Sequence, residues 1–534
     1  MNSKLLAVST FTMVLLYSML SVVILGVCLF TNIPITYGIV ASLIVLFIQF
    51  FISPWITDFV MKHFYHANFD CSLPDNLAHF VNEVCEKNGI IYPKIGYIDD
   101  GAPNAFTYGR TKKDARVVIT RGILELLTED EAKAVLGHEL GHIAHMDMFY
   151  MTVAQAVPLI LYFVFETLCD TDRNSSSDNK NGGYSAIIGI VAYIMYIISQ
   201  YIILWLSRTR EYYADEFSCE VTGNPNCLAS ALVKIGFGLT SIKDDKNKHA
   251  VSNVGALGIF DSKSSKSLIV STNRNISDTT MIKNAMKWEL WNPWAFFYEL
   301  SSTHPLISKR LIAISKQCSK YNQPEYIHFD LEQPESYVDD FFAELVIAYA
   351  PTAIFLLGAG AVAYCIFSEK IQMVYTMIGV FGVLFTFASI IHFNSRHGKD
   401  YRKANVAGLL GQVKVSEITA IPCELEGQII GKGDPGCIFS EDFILQDETG
   451  IIFLDYKQPL TIQNKIFALF RSKDYIDAKV KIRGWYRRGL VPYIEVYQLE
   501  KEGKTKTIHT AAIAKVLYYF LIICFAALAI WSII

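Results

Sequence analysis

The chain has 534 residues, of which 52% are hydrophobic and only 18% are charged. Soluble globular proteins usually contain about 25% charged residues, so this composition indicates a membrane protein that is long enough to include water-soluble domains. The formal net charge of −4 excludes a chain whose overall charge would attract nucleic acid. The eleven cysteines include no Cys-x-x-Cys pair, which argues against a disulfide framework or a zinc ribbon.

Apolar runs predict seven membrane-spanning helices, because a helix needs about 20 apolar residues to cross the hydrocarbon core. The predicted spans are 5–31, 35–56, 148–169, 185–206, 341–367, 371–393 and 511–532. The first run is too long for the apolar region of a signal peptide and is followed at once by a second span. We therefore expect an N-terminal transmembrane hairpin at 1–56, a second hairpin at 148–206, a third at 341–393 and a final span in 511–534.

Lysine and arginine gather on one side of these spans. Basic residues follow the fourth and sixth spans and precede the seventh, whereas the loop 170–184 has three acids against two bases. Under the positive-inside rule, this pattern places the N-terminus and the segments 57–147, 207–340 and 394–510 in the cytoplasm. We expect an integral protein of the bacterial inner (plasma) membrane type, with the C-terminus outside.

The segment 57–147 alternates helical and extended patterns. Residues 74–89 have helical periodicity, while 94–99 and 115–120 are typical of strands. Thr128 followed by Glu131 is a capping box ahead of an apolar-periodic run, so a helix is predicted to begin near Glu129. The polar stretch 241–284 is predicted to be a mobile insertion.

The capped helix contains His138-Glu139-Leu140-Gly141-His142. Histidines four residues apart lie on one helix face and can bind one Zn²⁺, with Glu139 placed to take a proton from water. Two unrelated histidines on a surface helix are the alternative interpretation of this pattern.

A catalytic zinc site needs a third protein ligand. His145 would stand about 10 Å along the helix axis from His138, too far for a shared ion. Glu211 is the better candidate, because two predicted spans return it to the same membrane face, and Asp215 could then accept a hydrogen bond from a ligating histidine. Alternatively, these two acids form a solvated helix end paired with Arg208 and Arg210.

Four motifs occur in order along the chain: Asn104-Ala105-Phe106, His138 to His142, the block from Ser207 to Asp215, and Thr303-His304-Pro305 followed by Arg310. In these motifs the chain resembles the HtpX-like integral-membrane zinc metalloproteases, a gluzincin family that also includes the CAAX prenyl protease. The resemblance extends from the N-terminal hairpin to about residue 315.

This resemblance implies an α+β gluzincin-type protease domain in two parts, 57–147 and 207–340. It implies zinc as the cofactor, bound by His138, His142 and Glu211, and Glu139 as general base and later proton donor. Asn104 and His304 would face the substrate near the scissile carbonyl, although a turn asparagine and a histidine before a helix-breaking proline are alternative explanations. Arg310 and Asp215 would support the site. Residues 117–120 are equally compatible with an edge strand that pairs with an extended peptide and with a buried strand.

The chain departs from HtpX-like proteins by continuing into a third hairpin and a β-rich segment. Short strand-like runs within 404–500, such as 442–445, 451–456 and 479–484, indicate a small all-β domain that resembles an OB barrel. Residues 394–510 contain 18 Lys and Arg against 15 Asp and Glu, so we expect a protein-binding or regulatory role rather than nucleic-acid binding.

The sequence therefore predicts a membrane-embedded zinc endopeptidase that cleaves cytoplasmic or membrane-proximal segments of proteins. By resemblance to HtpX, its role would be membrane protein quality control. A catalytically silent membrane scaffold that recruits partners through the β-domain is the alternative function. The pattern does not identify natural substrates, cleavage preference or oligomeric state.

Overall fold

The structure is a computed structural model. It describes residues 3–31, 34–101, 103–174, 182–241, 279–329, 332–432, 442–489 and 491–533. The chain forms two compact units, one of Met1–Ser265 with Glu299–His328, and one of Lys266–Tyr298 with Phe329–Ile534.

The first unit begins with a membrane hairpin and continues into a helical domain with one small sheet. Its first eight helices are α1 (Ser3–Thr31), α2 (Ile35–Phe64), α3 (Asp75–Asn88), α4 (Arg121–Leu126), α5 (Glu129–Ala144), α6 (Asp147–Asn174), α7 (Gly182–Thr222) and α8 (Pro225–Ser241). Leucine, isoleucine, alanine and valine side chains of α1, α6 and α7 form one buried apolar cluster. Its burial stabilises the packing of these three membrane helices.

Three strands lie between α3 and α4, namely β1 (Lys94–Ile98), β2 (Ala105–Gly109) and β3 (Ala115–Thr120). Their order in the sheet is β1-β3-β2, with β1 parallel and β2 antiparallel to β3. All six residues of β3 are buried. The edge-strand interpretation of 117–120 is therefore wrong, because β3 is paired on both sides; among the described residues, β1 and β2 are the two outer strands of this sheet.

The prediction of seven membrane spans is confirmed within the described residues. Helices long and apolar enough to cross a bilayer occur at Ser3–Leu29, Thr36–Phe64, Asp147–Cys169, Ile187–Thr222, Val338–Phe367, Ile371–Arg396 and Thr510–Trp531. The fourth extends furthest beyond its predicted end, since α7 continues without a break from its apolar part to Thr222. Glu211 and Asp215 thus belong to a membrane helix rather than to a separate element.

Three shorter helices follow the part of 241–284 that lies outside the described residues. They are α9 (Thr279–Trp291), α10 (Pro293–Glu299) and α11 (Ile307–Cys318). Helix α11 belongs to the first unit, whereas α9 and nearly all of α10 belong to the second. The predicted mobility of 241–284 stays untested for residues 242–278.

The second unit contains three membrane helices and a β-domain. Its further elements are α12 (Val338–Phe367), α13 (Ile371–Arg396), β4 (Arg402–Lys403), α14 (Val406–Leu410), β5 (Ile421–Lys432), β6 (Phe443–Gln446), β7 (Ile451–Asp455), α15 (Thr461–Phe470), β8 (Lys479–Arg488), β9 (Pro492–Lys501), β10 (Lys504–Thr507) and α16 (Thr510–Trp531). Strand pairing closes a ring in the order β5-β6-β7-β9-β8, because β8 pairs with both β9 and β5. The β-rich prediction is confirmed as a barrel-like region, and the OB-type topology stays a prediction.

Within the described residues, α9 contacts the β-domain directly, while the assignment of 207–340 to the protease domain stays a prediction. The indole N–H of Trp288 donates to the carbonyl of Val415 at 2.7 Å, and Asn292 donates to the carbonyl of Val413 at 2.8 Å. The guanidinium of Arg488 lies over the Trp288 ring and donates to the carbonyl of Ala285. These contacts are tertiary and have no signature in the local sequence of α9.

Candidate metal centre

The helix that carries the histidine pair begins at a complete capping box. The Thr128 backbone N–H donates to Glu131 Oε2 at 2.8 Å, and the Glu131 backbone N–H donates to the Thr128 hydroxyl at 3.4 Å. Lys234 and Ser230 of α8 also contact the Glu131 carboxylate. The predicted helix start is thus confirmed, and α5 is attached at its N-terminus to a second helix.

The two glycines of α5 allow α7 to approach closely. A Cβ atom at Gly141 would lie 3.1 Å from the Cα of Ala214, and one at Gly137 would lie 3.0 Å from the Val221 side chain. The Ser218 hydroxyl donates to the carbonyl of Ala134 at 2.6 Å. This close packing brings the polar end of α7 against the histidine face of α5.

Side-chain atoms of His138, His142 and Glu211 converge at one point. The two Nε2 atoms are 3.1 Å apart, and Glu211 carboxylate oxygens lie 3.6 Å from Nε2 of His138 and 3.5 Å from Nε2 of His142. A tetrahedral ion with bonds of about 2.0–2.2 Å separates its ligand atoms by about 3.3–3.6 Å. Each Nε2 lies at about this spacing from one Glu211 oxygen and the two Nε2 atoms are slightly closer together, so the group is compatible with a metal ion bound by all three residues.

A second observation favours the same fit. Glu211 is 5% exposed, and its Oε2 atom is buried without a hydrogen-bond partner among the described residues. Arg310 Nη1, 3.6 Å from this oxygen, offers it a charge but no hydrogen bond, so a bound metal ion would lower the cost of burying it further. The donor set of two imidazoles and one carboxylate is typical of a catalytic zinc site that keeps one position open.

Asp215 and Arg310 lie directly behind this group. Asp215 Oδ1 is 2.9 Å from Nδ1 of His138, and Arg310 donates to both Asp215 oxygens, from Nε at 2.9 Å and from Nη2 at 2.6 Å. Nη1 of Arg310 is 3.6 Å from Glu211 Oε2. The bidentate guanidinium therefore fixes the carboxylate that faces His138. Both side chains therefore lie beside the candidate ligands, and their supporting roles stay a prediction.

Asp147 is a further member of the site that the sequence analysis missed. Its Oδ2 lies 2.6 Å from Nδ1 of His142, and its Oδ1 accepts from Nε of Arg210 at 2.6 Å. Arg210 is 1% exposed and also donates to the Ser9 hydroxyl of α1 and to the carbonyl of His145. The available signal was an acid at the boundary of the third apolar run, five residues after His142.

His145 itself lies outside the converging group. Its ring packs edge-on against Phe217, with centroids 5.7 Å apart, and its backbone carbonyl accepts from Arg210. Burial lowers the pKa of His145 to about 4, so the ring is neutral. This placement agrees with the geometric argument against His145 as a ligand.

Glu139 is buried beside the two histidines and faces the edge strand. It is 1% exposed, and its Oε2 accepts from the hydroxyl of Thr107 in β2 at 2.7 Å. Burial raises the pKa of the Glu139 carboxyl. Thr107 is a second contact of the site that the sequence analysis missed, since it depends on the pairing of β2 beside α5.

The remaining two predicted residues are placed differently from each other. His304 Nε2 is 3.6 Å from Glu211 Oε1, and burial lowers the pKa of His304 well below its usual range. Asn104 is only 2% exposed; its backbone N–H donates to the Thr120 hydroxyl, and its carbonyl accepts from the Thr120 backbone N–H. Its side-chain oxygen has no hydrogen-bond partner among the described residues. His304 thus lies beside the ligand group, and the backbone of Asn104 is attached to the end of β3.

Comparisons with known proteins match the part of the chain that carries this site. The sequence profile of Peptidase family M48 matches residues 74–318. A Protease HtpX homolog of Methanothermobacter thermautotrophicus is 42% identical over 233 residues, which cover 43% of this chain and 84% of the homolog. Protease HtpX of Legionella pneumophila is 30% identical over 203 residues, covering 37% of this chain and 71% of that protein.

One similar solved structure is the crystal structure of S. mikatae Ste24p. It covers 59% of this chain and 66% of that chain, with 18% sequence identity and a TM-score of 0.33. A likeness of this degree is too distant to bear on individual residues.

Proposed function

The chain belongs to peptidase family M48 as an HtpX-like membrane protease, and on that basis we propose that it is a zinc-dependent endopeptidase with His138, His142 and Glu211 as metal ligands. The single observation that carries the proposal is the convergence of their side chains: the two Nε2 atoms are 3.1 Å apart, and each lies within 3.6 Å of one oxygen of the Glu211 carboxylate. A structural pair of surface histidines would have no reason to share a buried carboxylate.

The proposed reaction is hydrolysis of a peptide bond. When bound, zinc supplies a Lewis acid that polarises the scissile carbonyl and lowers the pKa of a water molecule toward neutrality. Glu139 accepts the proton of the attacking water and later donates it to the leaving amine. The hydrogen bond from Thr107 holds the Glu139 carboxylate in one orientation and restricts it to the side of the site that faces β2.

We propose that hydrogen-bond donors outside the ligand group stabilise the oxyanion that develops during the reaction. His304 is the stronger candidate, because its Nε2 lies within 3.6 Å of a proposed metal ligand. Asn104 is the weaker one, since its backbone contacts are to Thr120. Arg310 and Asp215 act by orienting His138 rather than by touching substrate.

An extended substrate segment would add as a strand to the free edge of β2. One side of β2 pairs with β3, and Thr107 on this strand contacts Glu139. Strand addition aligns a peptide through main-chain hydrogen bonds and does not require a specific sequence. This mode of binding is consistent with cleavage of exposed, unfolded segments of membrane proteins, and hence with quality control.

Basic residues beside the spans support an active site that faces the cytoplasm, in a membrane of the bacterial inner-membrane type. The β-domain at 394–510 is proposed to have an OB-like topology and to bind protein. The alternative of a silent scaffold is not favoured, because the similar proteins are named as proteases and none of the expected ligands or the base is replaced in this chain.

The test uses the full chain purified in detergent. We expect about one zinc ion per chain by mass spectrometry, together with cleavage of casein that stops with a metal chelator and returns when zinc is added. A chain that takes up no zinc, or that cleaves casein equally well with chelator, would contradict the proposal.

A further inference from the structure

Helix α15 of the β-domain has two apolar faces. Phe467 and Ala468 are buried, and the Phe467 ring packs against Phe443 and Tyr456. Apolar side chains on the other face are between 38% and 75% exposed, namely Leu460, Ile462, Ile466, Leu469 and Phe470. Positions 462, 466, 469 and 470 share one helix face. A contiguous apolar patch of this kind marks an interaction surface.

Basic residues outnumber acids along the segment that carries this patch, although Asp455 pairs with Lys457 at 2.6 Å and Asp474 follows Lys473 directly. Residues 456–473 include Lys457, Lys465, Arg471 and Lys473, and no aspartate or glutamate. Lys465 lies on α15 itself, on the flank of the exposed apolar face. An apolar face bordered by basic side chains is typical of a helix that lies in the plane of a membrane interface with anionic lipids.

Two contacts join α15, or the residues just before it, to the segment where α16 begins. The Thr510 hydroxyl donates to the carbonyl of Lys457 at 2.6 Å, three residues before the exposed patch starts. The ammonium group of Lys506 lies 4.2 Å from the centroid of the Phe467 ring. The residues just before α15 and the buried face of α15 therefore both contact the segment that leads into the last membrane helix.

The length of α16 relates Thr510 to the bilayer. Its 22 residues span about 33 Å, slightly more than the roughly 30 Å of the hydrocarbon core. The first turn of α16 consequently lies at the level of the lipid headgroups. The hydrogen bond from Thr510 to Lys457 places the residues just before α15 at this same level.

We propose that α15 lies in the headgroup region of the bilayer that α16 crosses, with Ile462, Ile466 and Phe470 inserted toward the acyl chains. Amphipathic helices of this kind bury their apolar face about 5–10 Å into the boundary between headgroups and chains. Lys465 and Arg471 then meet anionic lipid phosphates. A protein partner or a second copy of the chain is less suited to the patch, because it would need an acidic surface around an apolar centre.

The test measures lipid contact directly in the full chain, reconstituted in nanodiscs of phosphatidylcholine and phosphatidylserine. An environment-sensitive fluorescent amino acid replaces Phe470, Ile466 or, as a matched control, the exposed Lys504 of neighbouring strand β10. The same probe at Phe520 in α16 is the positive control. Lipids brominated in their acyl chains serve as quenchers.

We expect blue-shifted emission and several-fold quenching at 466 and 470, as at 520, and neither effect at 504. Replacing phosphatidylserine by phosphatidylcholine should weaken quenching at 466 and 470 but not at 520. The double variant I466Q/F470Q, with the probe at 462, should lose quenching, whereas K504Q should retain it.

Two results would overturn the proposal. Emission at 470 typical of water, with position 520 quenched normally, would show that the patch faces solvent. Blue-shifted emission at 470 without quenching would show that protein covers it. None of these readings depends on peptidase activity, so they are separate from the proposed catalytic function.

Discussion

Asp147 Oδ2 lies 2.6 Å from Nδ1 of His142, so a carboxylate at the start of the third membrane helix orients the second imidazole of the proposed metal site. Arg210 holds the other oxygen of Asp147 and reaches Ser9 in the first membrane helix. The membrane helices therefore do more than tether the domain, because three of them contribute side chains to the support of the site.

Replacing Asp147 by asparagine should weaken metal binding. The variant keeps the side-chain volume but loses the charge that fixes His142, and such partners typically contribute about 10–100-fold to metal affinity. Competition with a fluorescent zinc chelator measures the effect. Asp99→Asn, which removes an exposed partner of Arg121, is the control and should bind zinc normally. Equal zinc affinity of the two variants would contradict the role given to Asp147.

Replacing Glu139 by glutamine should retain zinc and abolish proteolysis. The amide cannot act as a base, and loss of general-base catalysis costs about 10²–10⁴-fold in rate. Casein cleavage and metal content are measured on the same preparation. Thr107→Val should lower the rate of proteolysis less than Glu139→Gln does. Thr107→Ser, which keeps the hydroxyl, should have a rate near that of the unmodified chain. Near-normal turnover by Glu139→Gln would remove Glu139 from the mechanism.

The third ligand can be tested by comparing Glu211→Ala with His145→Ala. We expect Glu211→Ala to lose most of its zinc, because two imidazoles alone leave the ion with an incomplete set of ligands. His145→Ala should retain zinc, since its ring packs against Phe217 rather than facing the ligand group. Metal content of the two purified variants decides between them, and the reverse pattern would show that the ligand assignment is wrong.

The orientation in the membrane can be tested by labelling in intact cells. A cysteine introduced at Asp400, in a chain whose exposed Cys71 is replaced by serine, should not react with a membrane-impermeant maleimide. An epitope at the C-terminus and a cysteine in the loop 174–182 should be accessible from outside. Labelling at position 400 without permeabilisation would reverse the proposed topology.

The contact between α9 and the β-domain predicts that removing the β-domain leaves α9 without its packing partners. A chain that ends near residue 335 keeps the proposed ligands but lacks Val413, Val415 and Arg488, the partners of α9. In the full chain, Trp288→Ala should destabilise the second unit by about 3–5 kcal/mol, as for other buried aromatic residues. Thermal unfolding in detergent measures this change. Trp531→Ala, at an exposed position in α16, should have little effect.

Local patterns in the sequence were sufficient for the seven membrane helices, for α3 and α5, for five of the ten described strands and for the spacing of the histidine pair. Seven apolar runs, the Thr128 capping box and the spacing of His138 and His142 each depend on residues within one or two helical turns, and each has a direct physical consequence. Glu211 could also be proposed from the sequence, because counting membrane crossings places its segment and the histidine pair on the same membrane face.

Tertiary structure alone decided which strand is the edge, which acid faces His142 and which unit contains α9. The composition of β3 suits an edge and a buried strand equally, and its place in the sheet depends on where β1 and β2 pair. In the local sequence, Asp147 is only the first residue of a membrane helix. It contacts Arg210 because α6 and α7 pack together. Such contacts join residues far apart in the chain, so their energies depend on the packed arrangement and leave no periodic trace in the sequence.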